Sequence, residues 1–141
     1  QSRSSAASDV YKRQVLLSTI ICSSCISQEH NLIKKIEYFA STRGSSIHII
    51  VFPDHLIYND SISKITSKKW DAIYLLIDEI NLTEISKLQA PSEDRFRDAA
   101  LAAEIKITTS ETTYTSSQFD HGKPPKEIKK LVQQMLSLVE L

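Results

Sequence analysis

The sequence predicts a single α/β domain whose central sheet has about four strands and carries helices on both faces. Near-continuous apolar runs, typical of strands buried on both faces, alternate along the chain with segments whose apolar residues recur at helical spacing. The length of 141 residues suits one domain. The sequence also has no internal repeat and no linker long enough to divide it.

Composition excludes several classes of function. The formal net charge is +0, so no basic field favours a nucleic-acid partner or a membrane surface. Only 2 glycines are present, which argues against the glycine-rich loops that hold the phosphates of nucleotides. The 2 cysteines are too few for a disulfide scaffold. We expect no cofactor and no membrane-spanning segment.

The first residues match a foreign sequence. Ser4 to Gln14 is, residue for residue, the translation of a transposase sequencing adapter. We therefore expect residues 1–14 to be a non-native, disordered segment that takes no part in the fold. Residues 15–141 are expected to form the domain, with the natural N-terminus missing.

The first half of the remaining chain begins with a predicted β-α-β unit. Residues 15–21 are apolar and β-branched, as in a central strand. Ser27 can cap a following helix whose apolar residues recur from Leu32 to Ala40, and Gly44 can end it. Residues 47–52 are a second apolar strand.

The middle of the chain predicts shorter elements. Asn59 or Asp60 can cap a short helix that carries Ile62 and Ile65 on one face. Residues 71–78 are a third apolar run, predicted as a strand. Residues 82–88 then suggest another short helix.

The last third predicts two helices and a hairpin. Ser92 can open a helix with Phe96 on its inner side. Ile105 and Ile107 alternate with polar residues and lead into a Thr/Ser-rich stretch that predicts an edge strand or a hairpin. Prolines 124 and 125 introduce a final amphipathic helix, since proline is tolerated in a first turn.

A C-x-x-C pair lies where the first strand meets the first predicted helix. Cys22 and Cys25 are three residues apart, so they can share a helix face and close a small disulfide ring. The helix N-terminus would stabilise a thiolate at Cys22, and Cys25 would resolve the mixed disulfide. Ser23 and Ser24 leave backbone N–H groups near the first sulfur.

Two plainer explanations of the pair remain open. Free cysteines are common in buried apolar segments, and two can fall three apart by chance. A zinc half-site would need two more ligands, and the histidines are scattered without ligand spacing; they are His30, His48, His55 and His121.

Residues 17–29, the apolar helix pattern behind them and the strand at 47–52 together resemble the active-site half of a thioredoxin-like domain. The branch that they most resemble is the TlpA-like thiol:disulfide oxidoreductases. The resemblance implies that Cys22 attacks and Cys25 resolves, that the partners are protein or small-molecule thiols and disulfides, and that the setting is extracytoplasmic. It places Ser23 and Ser24 between the cysteines, and Thr109 and Ser110 opposite them, with all four in contact with substrate. Members of the family have an aromatic residue before the first cysteine and a cis-proline that faces the cysteines. This chain has Ile21 at the first position and no proline at residues 108–110. The alternative form of the hypothesis is therefore a degenerate thioredoxin-like site.

Two other families resemble parts of the chain. Residues 59–82 and 122–128 resemble the C-terminal transketolase-like domain of 2-oxoacid oxidoreductases, in which the cysteines would be incidental. The β-α-β order also resembles a phosphotransferase-system IIB domain, with Cys22 as the phosphocysteine. The arrangement of the strands discriminates among the three families. A mixed sheet with an antiparallel last hairpin favours the thioredoxin-like fold, and an all-parallel sheet favours the other two.

His48 alternates within the second strand, where a histidine more often packs in a core or an interface than acts in catalysis. The sequence shows no Ser-His-Asp arrangement and no carboxylate pair with catalytic spacing.

Overall fold

A computed structural model describes residues 32–140 of the chain. Their centre is a seven-stranded sheet. The strands are β1 (Ile33–Thr42), β2 (Ser45–Val51), β3 (His55–Tyr58), β4 (Ser61–Lys64), β5 (Ala102–Thr109), β6 (Thr113–Thr115) and β7 (Phe119–Asp120). Their order is β4-β3-β2-β1-β5-β6, with β7 paired to β5 beside β6, and every pair is antiparallel.

Two α-helices and three short 3₁₀ helices complete the described chain. The α-helices are α1 (Ser67–Asp78) and α2 (Lys129–Ser137). The 3₁₀ helices are Leu82–Lys87, Asp94–Arg97 and Lys126–Ile128. α1 begins after Thr66, whose side chain accepts a hydrogen bond from the backbone N–H of Lys69, as a helix N-cap does.

One hydrophobic core joins the helices to one face of the sheet. Alternate residues of the central strands are fully buried, including Tyr38 on β1, Ile49 on β2 and Ile105 on β5. The buried residues of both helices, such as Ile73 and Leu131, belong to the same cluster. The described helices therefore cover one face of the sheet, in contrast to the predicted two.

The predicted helix over residues 32–40 is wrong, because this segment is the central strand β1. The sequence fits both periods: Leu32, Ile36 and Phe39 fall at helical spacing, whereas Ile36, Tyr38 and Ala40 alternate. The strand pairs with β2 on one side and β5 on the other along most of its length. These non-local hydrogen bonds are invisible to a local pattern, and they decide the conformation.

Two further elements differ from their predictions. The expected helix after Asn59 is the β3–β4 hairpin, and both turn residues, Asn59 and Asp60, have positive φ as a tight two-residue hairpin turn requires. The expected strand over residues 71–78 lies in α1, where Ile73 and Ile77 are buried one turn apart. The helix expected after Ser92 is only the 3₁₀ turn Asp94–Arg97.

Other elements are confirmed. The second strand is β2, the short helix after residue 82 is the 3₁₀ helix Leu82–Lys87, and the final helix is α2. The Thr/Ser-rich stretch contributes the end of β5 and the hairpin to β6. The α/β class therefore holds, but the sheet is larger than the predicted four strands. Being antiparallel throughout the described residues, it matches neither strand order that was expected to discriminate among the families.

Candidate functional site

The four predicted site residues around the C-x-x-C motif, Cys22, Ser23, Ser24 and Cys25, lie outside the described residues. The other two, Thr109 and Ser110, lie where β5 turns into β6. Thr109 is buried, and its hydroxyl donates to the carbonyl of Thr112 at 3.0 Å and accepts from the N–H of Glu111 at 3.3 Å. In the described chain this hydroxyl thus stabilises the turn.

The face of the sheet opposite the helices, which we call the open face, carries a shallow depression. Its volume is about 240 Å³, and its lining residues are Glu37, Phe39, His48, Glu104 and Lys106. These residues come from β1, β2 and β5, at positions that alternate with buried core residues. The depression is therefore a direct product of strand alternation on the three central strands.

Strand register brings the lining residues together. Phe39 on β1 lies between His48 on β2 and Glu104 on β5, and Glu37 pairs with Lys106. Directly opposed residues in an antiparallel sheet have their Cβ atoms about 4.5–5.5 Å apart, so these side chains interact across the strands. The rings of Phe39 and His48 meet edge to face, with 5.6 Å between their centroids.

Opposite charges alternate along this depression. Lys106 Nζ lies 3.0 Å from Glu104 Oε1, and Lys35 Nζ lies 2.9 Å from Glu37 Oε2. His48 Nε2 lies 3.7 Å from the other oxygen of Glu37. The hydrogen bond to Glu104 and the attraction of that carboxylate raise the pKa of Lys106. Glu37 and Glu104 are half-buried, with 18% and 19% of their side chains exposed, so neighbouring cations offset their partial desolvation.

A second depression adjoins the first. Its volume is about 250 Å³, and it is lined by Ser46, His48, Ile50, Ile57, Asn59 and Asp60. His48 belongs to both linings, so the two depressions meet at this side chain. Together they cross the open face from β5 to the β3–β4 turn.

A buried carboxylate lies elsewhere, at the end of β7. Asp120 accepts hydrogen bonds from the Ser92 hydroxyl, from the backbone N–H of Asp94 at 2.8 Å, and from the backbone N–H and guanidinium of Arg95 at 3.0 and 3.1 Å. Burial alone would raise the pKa of Asp120, but these donors outweigh it and hold the pKa well below its usual range. Because each partner lies in the loop around the 3₁₀ helix Asp94–Arg97, the cluster attaches that loop to the sheet.

The neighbouring residue makes a second polar contact with the core. The hydroxyl of Tyr38, a fully buried residue, lies 2.6 Å from Nδ1 of His121. Burial raises the pKa of Tyr38 well above its usual range, so the phenol keeps its proton and can donate to the ring nitrogen. Asp120 and His121 thus connect β7 and the following turn to both the loop and the central strand.

Within residues 32–140, no group of three or more His, Cys, Asp or Glu side chains is placed to hold a metal ion. No helix in that range is both long and apolar enough to cross a membrane.

No family model, curated protein or solved structure matches the chain.

Of the five lining residues of the first depression, the sequence singled out only His48, and it gave no site role to Glu37, Phe39, Glu104 or Lys106. The sequence did carry a signal for Glu104 and Lys106 on β5, because Ala103, Ile105 and Ile107 alternate with polar residues as in a strand with one buried face. Glu37 and Phe39 on β1 could not be assigned to the same sheet face, because residues 32–40 were predicted to be a helix.

Proposed function

We propose that residues 32–140 form a binding module whose elongated ligand lies across the open face of the sheet. The observation that carries this proposal is the pair of depressions that meet at His48. Ligand sites are concave and combine apolar surface with a few polar groups. Phe39, Ile50 and Ile57 supply the apolar surface here, and Glu37 and Lys106 are among the polar groups.

The dimensions favour an extended ligand. From β5 across β1 and β2 to β3 is three strand spacings, or about 14–15 Å at the usual separation of neighbouring strands. Both depressions are shallow, so a ligand that spans them gains more contact than a compact one that fills either alone.

A bulky side chain at residue 48, where the two depressions meet, tests this proposal because it would block the ligand. In His48→Trp, a side chain that is about half exposed is replaced by a bulky one that strands tolerate well. A library of short peptides would be screened against the ¹⁵N-labelled chain by amide chemical shifts. We expect ligands that shift the amides of β1, β2 and β5 in the unmodified protein to lose binding to the variant.

Leu75→Trp is the matched control, since Leu75 is 65% exposed on α1. It should leave binding unchanged. Ligands that shift only amides of the helices, or that bind His48→Trp as well as the unmodified chain, would contradict the proposal.

Thiol–disulfide exchange at Cys22 and Cys25, on a thioredoxin-like fold in an extracytoplasmic setting, is a second proposal. The C-x-x-C motif behind an apolar run supports it. β1 begins at Ile33, so a helix that follows Cys25 would have to end before this strand. Thr109 and Ser110 would contact substrate in this proposal.

Redox titration tests the second proposal. The protein would be equilibrated in glutathione buffers and its free thiols alkylated. A disulfide that forms reversibly, with Cys22 alkylating faster than a free cysteine at neutral pH, would support exchange, and Cys25→Ser should then trap partners as mixed disulfides. Two inert thiols would contradict it.

A further inference from the structure

We infer that the ligand of the open face is an extended peptide segment with basic side chains. The inference rests on the proposed binding function and adds the chemistry of the ligand. It starts from the charges that line the two depressions.

The lining carries more negative than positive charge. Its carboxylates are Glu37, Glu104 and Asp60, whereas Lys106 is its one ammonium group. Lys35 lies beside the lining and pairs with Glu37. Lys64 of β4 shares the open face as well, but neither lysine is part of the lining, which holds three carboxylates and one ammonium group. A basic ligand therefore meets complementary charge in both depressions, at Glu37 and Glu104 in the first and at Asp60 in the second.

The existing ion pairs leave room for exchange. Lys106 is 43% exposed, so its bond to Glu104 is a surface ion pair, which adds little to stability. A ligand ammonium or guanidinium group can take its place beside Glu104 while Lys106 turns to solvent. Phe39, which lies opposite Glu104 and two residues from Glu37 on the same strand, also offers an aromatic face to such a cation.

The apolar surface favours a peptide over a small cation. Ile50 and Ile57 are directly paired on neighbouring strands and lie in the lining of the second depression. In an extended peptide, alternate side chains point the same way, at a rise of about 3.3 Å per residue. Four or five residues would cross the roughly 15 Å of the two depressions. The first, third and fifth side chains would then face the sheet, so that basic ones at one end contact Glu104 and Glu37 and an apolar one at the other end contacts the isoleucines.

Three acetylated pentapeptides test the inference on the full chain. The first and third positions carry lysine, glutamate or glutamine, the fifth carries isoleucine, and serine fills the second and fourth, so that the charged and apolar side chains point the same way. Each would be titrated into the ¹⁵N-labelled protein at low salt. We expect the lysine peptide to shift the amides around Phe39 and His48 and to bind about two- to fivefold more tightly than the glutamine peptide for each carboxylate that it contacts. The glutamate peptide should bind most weakly.

Charge-removing variants locate the effect. Glu37→Gln and Glu104→Gln should each weaken the lysine peptide by about two- to fivefold and leave the glutamine peptide unchanged. Glu84→Gln removes the same charge from an exposed residue of the 3₁₀ helix Leu82–Lys87 and should change neither affinity.

The outcomes separate the two proposals. If all three peptides shift the open-face amides with equal affinity, or the glutamate peptide binds best, the inference of a basic ligand is overturned and the binding function stands. If none of the three shifts the amides of β1, β2 and β5, the inference of a basic ligand is overturned, and the peptide library with His48→Trp decides the binding function separately.

Discussion

At the scale of single residues, Asp120 holds the least exposed charge of the described chain. It is fully buried, and its ion-pair partner Arg95 has only 10% of its side chain exposed. A buried carboxylate is tolerated because several donors replace the water that it loses. Here those donors come from a loop with little regular structure, so Asp120 determines where that loop lies.

Removing the carboxylate should destabilise the fold strongly. Asp120→Ala leaves the backbone N–H groups of Asp94 and Arg95 without their acceptor and the buried Arg95 guanidinium without its ion-pair partner. We expect a loss of roughly 3–5 kcal/mol in the free energy of unfolding, as for other buried pairs broken on one side. Urea denaturation would measure it, with Asp71→Ala, an exposed aspartate of α1, as the control. A loss equal to that of the control would show that the cluster is not structural.

The same carboxylate predicts acid sensitivity. The pKa of Asp120 is lower in the folded protein than its ordinary value, so folding is favoured while the group is ionised. That contribution is complete above the unfolded pKa of about 3.9 and is lost as pH falls through and below it.

Denaturation midpoints at pH 7 and pH 3 would measure the acid sensitivity. The difference between them should be smaller in Asp120→Asn, which has no proton to gain at this position, than in the unmodified chain. An unchanged difference would assign the acid sensitivity to other groups.

At the scale of elements, the β3–β4 hairpin has a testable turn. Asn59 and Asp60 have φ values of +47° and +63°, a region that favours glycine and tolerates Asn and Asp. Asn-Gly is the preferred pair for such a turn. Asp60→Gly should therefore stabilise the protein by up to about 1 kcal/mol. Thermal unfolding would measure it, and a lower melting temperature would contradict the assigned turn.

The elements also show how far the sequence could predict the fold. Elements with one consistent pattern, such as β2, the alternating part of β5 and the amphipathic α2, were predicted. The segment that became β1 satisfied the helical and the strand period at once, and pairing with two distant strands decided it. The apolar run at residues 71–78 fitted a buried strand, but its Thr66 cap and the spacing of Ile73 and Ile77 belong to a helix.

Prediction of the candidate site required the conformation of β1, which the sequence left ambiguous. Its aromatic residue and one of its carboxylates, Phe39 and Glu37, lie on β1 and could be placed only once β1 was known to be a strand. Register between β1, β2 and β5 then sets which side chains meet, and register follows from long-range pairing that the sequence pattern does not reveal.

At the scale of the whole described domain, the sheet is covered unequally. The described helices pack against one face, so the alternate residues of the central strands form an open face with its own chemistry. An antiparallel sheet can have one face in contact with solvent, whereas the two-faced arrangement predicted from sequence would bury both. This asymmetry provides the broad surface on which the proposed function depends.

The most direct measurement of the central claim is photo-crosslinking of the full chain with the lysine–isoleucine pentapeptide carrying a benzophenone at one end. Proteolysis and mass spectrometry would locate the attachment sites. Attachment on β1, β2 or β5, reduced by excess unlabelled peptide and by Glu104→Gln, is the result that we predict. Attachment confined to α1, α2 or the loop around Asp94–Arg97 would contradict binding at the open face.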